Sequence, residues 1–298
     1  MTNVEPSNEN LQPNMNGQVE FTPKLQLGLL ILLSFTGILL LSILVQFMGL
    51  SDIAKQMTGK STEIWKIYFL TASNVLFISL IPSLLWFRII KPFLFPKIFD
   101  VTINPKIFLY SFFLFVGSMP FVMGLAWINQ QIPLPEILLS NEDNINNLIN
   151  NLTADRSISS MLICVFLLGI LPALGEELFF RGALQSIISK MLVNPHVAIL
   201  ITGIIFGLVH FQFQGIIPRV FLGIILGYSF YFTKTLWCPI LLHALFNSTQ
   251  VAILFIMDKK MSTNADQSVN WILVSLSGLL TAYLFMKLLK VETADYVK

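Results

Sequence analysis

From Leu25 to Leu50 the chain carries no charged residue. At ~1.5 Å rise per residue, a helix of that length crosses the ~30 Å hydrocarbon layer of a bilayer with room to tilt. Such stretches recur. Ile67 to Ile90, Ile107 to Ile128, a segment starting near Ile158, Val197 to Phe211, Pro218 to Thr233, Ile240 to Met257 and Val269 to Leu289 are all predominantly apolar. The pattern predicts an all-α polytopic membrane bundle of about eight transmembrane helices, since hydrocarbon leaves a spanning backbone no partner but itself. Composition agrees: 55% of residues are hydrophobic and 11% charged, against about 25% charged in soluble domains. A net charge of +2 gives nucleic acid nothing to hold.

The polar, Asn-rich stretch 1–24 contains Glu5, Glu9 and Glu20 and lacks the basic start of a signal peptide. It reads as a disordered tail before a retained anchor. Residues 25–157 form helices 1–3 with their loops, including a polar loop over 51–66, and Pro82 is expected to kink the second helix. Residues 158–257 hold helices 4–7, and 258–298 the eighth helix and a short tail. Arg88, Lys91, Lys97 and Lys106 make the most basic connection, whereas the loop 129–157 is acidic and has Arg156 as its lone cation. The positive-inside rule then places the first in the cytoplasm and the second outside. Eight spans bring both termini to the cytoplasm of a multi-pass protein, with the plasma membrane as the expected location. Cys164 and Cys238 lack metal-type spacing and read as packing residues; His196, beside the Asn194-Pro195 break, reads as an interfacial loop residue.

The chemistry concentrates at Glu176, Glu177 and Arg181, which follow the uncharged run from Ser160 to Leu174. Ionisable groups at membrane depth cost a few kcal/mol each, about 3 on insertion scales, and mark candidate functional sites. Glu177 and Arg181 are four apart and can pair, as a structural clamp or as support for catalysis; Glu176 points elsewhere. His210 ends the fifth apolar segment, and His243 and Asn247 share one face of the seventh. Counting from the turns at Asn194-Pro195 and Leu236 to Pro239 sets Glu176, His210, His243 and Asn247 at similar depth, a little below the cytoplasmic surface. Each has a plain role as interhelical glue, but four polar groups matched in depth suggest one pocket. A carboxylate with two imidazoles handles water, either through zinc on Glu176, His210 and His243 or without metal, with His243 and Asn247 donating to an oxyanion. Both routes end at hydrolysis of an acyl bond, most plausibly a peptide. No Gly-x-Ser-x-Gly is present. A competing class is a non-catalytic immunity or scaffold protein, or a transporter using the same buried charges.

Glu176-Glu177-x-x-x-Arg181, then Phe206-x-x-x-His210, then His243-x-x-x-Asn247, each in an apolar segment, resembles the CPBP family of intramembrane proteases. That family includes the type II CAAX prenyl endopeptidases and the Abi or bacteriocin-immunity proteins. The resemblance implies that Glu176 and His210 act on the water, that His243 and Asn247 stabilise the oxyanion, or that His243 completes a metal site, and that Glu177 and Arg181 hold the helix. The resemblance implies either zinc as cofactor or a glutamate-dependent mechanism with none. The substrate would be a peptide or membrane-associated protein met in the lipid bilayer, and prenylation of that substrate does not follow.

Overall fold

The computed structural model describes residues 11–13, 19–50, 64–90, 97–99, 104–192, 194–257 and 269–295. Most of the expected tail, loop 51–66 and basic connection lies outside the described residues. Two short strands, β1 (Leu11–Pro13) and β2 (Val19–Phe21), pair antiparallel ahead of the first helix. The rest is helical: α1 (Pro23–Phe47), α2 (Ile64–Ile90), α3 (Pro105–Gln130), α4 (Glu136–Leu152), α5 (Ile158–Met191), α6 (Pro195–Leu208), α7 (Ile216–Thr233), α8 (Trp237–Ile256) and α9 (Trp271–Asp295). Among the described residues seven of these are long and apolar enough to cross a membrane, so this is an integral membrane protein built as a polytopic all-α bundle. The expected fifth span, α6, is apolar but only 14 residues long, about 21 Å.

Local chemistry accounts for the main irregularities. Helix α2 widens into a π turn over Leu76–Leu80 and α5 into one over Val165–Ile170. Each sits just before a proline, Pro82 and Pro172, whose missing N–H and bulky ring disturb the preceding turn. Helix α4 corrects the reading of 129–157 as loop. Leu138, Ile145, Leu148, Ile149 and Leu152 recur at helical spacing, and Leu152 is buried; the intervening asparagines, weak helix formers, mask the period.

Contacts fix the direction of each helix. Gly37 meets Phe77 while the Trp86 ring N–H donates to the Gln26 carbonyl, so α1 and α2 are antiparallel. Tyr68 meets Ser160 and Phe87 meets Gly182, so α2 and α5 are parallel. Gly169 against Ser248 and Arg156 on the Leu254 carbonyl make α8 antiparallel to α5. Gly117 lies on Leu280 and Gly124 on Val274, so α9 runs against α3. Helices α6 and α7 cross closely: a β-carbon on Gly203 would stand 3.0 Å from the Ile224 nitrogen, an approach that small residues permit.

Three apolar clusters result among the described residues, the smallest joining Ile67, Leu152, Cys164 and Val251. Of the two larger ones, one joins Leu30, Trp86, Phe87, Leu178, Ile187, Phe206 and Ile240; the other joins Leu114, Phe115, Leu222, Leu226, Leu242 and Leu284. Outside them, exposed side chains such as Ile31, Phe35, Leu162, Leu245 and Leu279 give the bundle an apolar exterior, the surface a bilayer covers.

Candidate active site

Glu176 lies 18 residues from Ile158 and 15 from Met191, close to the midpoint of α5. The connection after His210 is bonded to Asn129 at the end of α3 and to Glu142 on α4, both from the region expected outside.

A second irregularity of α5, a π turn over Leu178–Gln185, begins immediately after the paired carboxylates; such widened turns are frequent at functional sites. Its inward face carries Glu177, Arg181 and Gln185, all buried. Arg181 Nη1 donates to Glu177 Oε1 at 2.8 Å and Nη2 to the Gly223 carbonyl at 2.8 Å. The guanidinium also lies 4.7 Å from the centre of the Phe206 ring, within range of a cation–π attraction. Gln185 donates to the Gly227 carbonyl at 3.2 Å. One side of α5 is thus bolted to α7 at two points one turn apart. Gln185 was not singled out from the sequence. Its signal is there in the four-residue spacing of 177, 181 and 185, matched by the spacing of Gly223 and Gly227.

Glu177 does more than pair with Arg181. Its Oε1 also accepts the Nδ1–H of His243 at 2.8 Å. A carboxylate can only accept, so the proton belongs on Nδ1, and neutral His243 presents Nε2 as a lone pair. His210 is arranged likewise: Nδ1 donates to the Phe206 carbonyl at 2.7 Å and leaves Nε2 free. Both lone pairs face Glu176. Its Oε2 stands 3.8 Å from His210 Nε2 and 3.9 Å from His243 Nε2, buried and without a hydrogen bond. These separations are too long for direct hydrogen bonds and short enough for one bridging atom. Three acceptors converge with no donor among them, an arrangement suited to a water molecule.

The donor types are those of a zinc site, but among the described residues no group of three His, Cys, Asp or Glu side chains is placed to hold a metal ion. The structure thus gathers Glu176, Glu177, Arg181, His210 and His243. Asn247 lies one turn beyond His243 on α8, half-buried, and among the described residues no hydrogen bond joins it to those five. His196 is apart, bonded to the Tyr228 hydroxyl at 3.1 Å. Cys164 and Cys238 are buried and unpaired.

Residues 158–249 match the family model Rce1-like, described as type II CAAX prenyl endopeptidase Rce1-like. The match spans about a third of the chain and includes every site residue named above. No curated protein and no solved structure matches the chain.

Proposed function

Carrying a domain of the CPBP family of CAAX-type intramembrane proteases, this chain is, we propose, an intramembrane endopeptidase that hydrolyses a peptide bond with water activated by Glu176 and His210. The observation that carries the reading is the convergence of His210 Nε2 and His243 Nε2 on Glu176 Oε2 at 3.8 and 3.9 Å. Water held between Glu176 and His210 has its hydrogens directed at two acceptors and a lone pair free for the scissile carbonyl. As its oxygen bonds the carbonyl carbon, one proton passes to Glu176; when the tetrahedral intermediate collapses and the C–N bond breaks, that proton goes to the leaving nitrogen, giving an amine and a carboxylic acid, which releases the second proton to water.

The negative charge that develops on the carbonyl oxygen needs donors. Asn247 supplies one through its amide. His243 supplies another only when Nε2 carries a proton. Glu177 orients His243, and Arg181 holds Glu177 in place. The proposed location is the plasma membrane with both termini cytoplasmic, and the substrate a membrane-anchored peptide or protein.

The test is cleavage of membrane-anchored peptides, prenylated and unprenylated, by the purified protein in lipid vesicles, read by mass spectrometry. The reading expects matched new termini, lost with His210→Ala. Activity that survives chelation assigns the work to protein groups alone; activity lost to chelation and restored by zinc assigns it to the metal. No cleavage of any peptide by folded wild-type protein would overturn the proposal in favour of a binding or transport role.

A further inference from the structure

Helix α6 ends at Leu208, so His210 lies past the last helical residue and ordinary helix hydrogen bonds do not fix it. Its backbone is followed at once by Phe211 at φ 52°, in the left-handed region that side chains with a β-carbon adopt at a cost. The ring is tied back to the Phe206 carbonyl, and the strained backbone that follows it is held from outside the turn.

Three side chains do so. Asn129, buried at the end of α3, donates to the Phe213 carbonyl at 2.8 Å and accepts the Ile217 N–H at 2.7 Å. Glu142, buried on α4, accepts the Gln214 N–H at 3.0 Å. Arg219 donates to the Gln212 carbonyl at 2.9 Å and to the Gln212 side-chain oxygen. It lies so close over Gly215 that a β-carbon there would stand 2.8 Å from its Nη1. The turn is thus bonded at Gln212, Phe213, Gln214 and Ile217 in succession. Asn129 and Glu142 come from α3 and α4, outside the segment that matches the protease family.

We propose that Asn129 and Glu142 are positioning residues for His210: α3 and α4 clamp the 211–217 turn so that His210 Nε2 is aimed at Glu176. The catalytic consequence rests on Glu176 and His210 being the water-activating pair; the structural consequence does not. Because Phe211 is held against its backbone preference, releasing either bond lets the turn relax and the imidazole lose its single orientation.

The chain has three histidines, so ring-nitrogen NMR of protein with ¹⁵N-labelled histidine in micelles can follow each one. In the wild type His210 is expected as a single tautomer protonated on Nδ1. With Glu142→Ala, and with Asn129→Ala where it folds, His210 becomes an exchanging mixture. Amide exchange over 211–217 quickens at least tenfold, and the His243 and His196 signals stay put. Turnover falls about tenfold to a hundredfold, the scale on which misplacement of a reacting group acts, with KM little changed. Glu142→Gln, which keeps an acceptor oxygen, restores both signature and turnover. An unchanged His210 signal in Glu142→Ala would overturn the proposal, as would an equal disturbance of His243, which would mean general loosening. If the wild type cleaves no peptide, the water-activation reading fails while the histidine signature still decides this one.

Discussion

Replacing Arg181 with methionine leaves the Glu177 carboxylate in the bundle interior with a single hydrogen bond, from His243 Nδ1, and nothing on Oε2. Both partners of the ion pair are fully buried and 2.8 Å apart. At an effective dielectric of ~20 the attraction over that distance is about 6 kcal/mol, part of which offsets the desolvation of two charges. Breaking such a pair from one side costs about 3–5 kcal/mol, because the remaining charge stays buried without its partner. Removing both charges together costs less. The double variant Glu177→Leu, Arg181→Met loses the acceptor for His243 Nδ1–H, about 1–3 kcal/mol, but strands no ion. The assay is unfolding of the micelle-reconstituted protein on titration with sodium dodecyl sulfate, followed by fluorescence of its five tryptophans. Arg181→Met is expected to be the least stable of the set and the double variant more stable than it. An Arg181→Met protein within about 1 kcal/mol of wild type, the value of an exposed pair, would refute the buried clamp.

Further outcomes follow from the same geometry. Gly203→Ala places a β-carbon 2.6 Å from Ile224 Cγ1 and 3.0 Å from the Ile224 nitrogen, where backbone cannot yield; overpacking of this kind costs about 1–3 kcal/mol, whereas Gly28→Ala, with nothing within 4 Å, should leave the detergent midpoint unchanged or slightly raised. Asp155, fully exposed before α5, has its carboxyl held below the ordinary value first by the Ser157 backbone N–H and then by the Ser157 hydroxyl. A carboxyl depressed in the folded state stabilises it above the ordinary carboxylate range and loses that contribution as pH falls through the depressed value. Melting at neutral and acidic pH should therefore show less acid sensitivity in Asp155→Asn than in wild type.

The spans and the site were readable because each rests on residue type and spacing. Uncharged runs report burial in lipid whatever packs beside them, and Glu176, His210 and His243 are chemically conspicuous where nearly every neighbour is apolar. What stayed hidden depends on contacts between segments distant in sequence. The bond from His243 to Glu177 links residues 66 apart, and without it Glu177 reads as a partner of Arg181 alone. Helix α4 was masked because its polar face is built from asparagine, which favours turns as much as helix. Counting from Asn194-Pro195 set Glu176 and His210 at one level, but it could not show that α6 stops before His210. In the structure α6 is short and ends beside the middle of α5.

The central claim is that Glu176 takes a proton from water, and the rate of peptide cleavage by Glu176→Gln tests it most directly. Glutamine keeps the size and hydrogen-bonding reach of glutamate but cannot accept that proton at catalytic cost, so kcat is predicted to fall by about a hundredfold to ten-thousandfold, the share general-base catalysis supplies, with the fold intact by amide exchange. Cleavage within tenfold of wild type would contradict the account and move the chemistry to other groups.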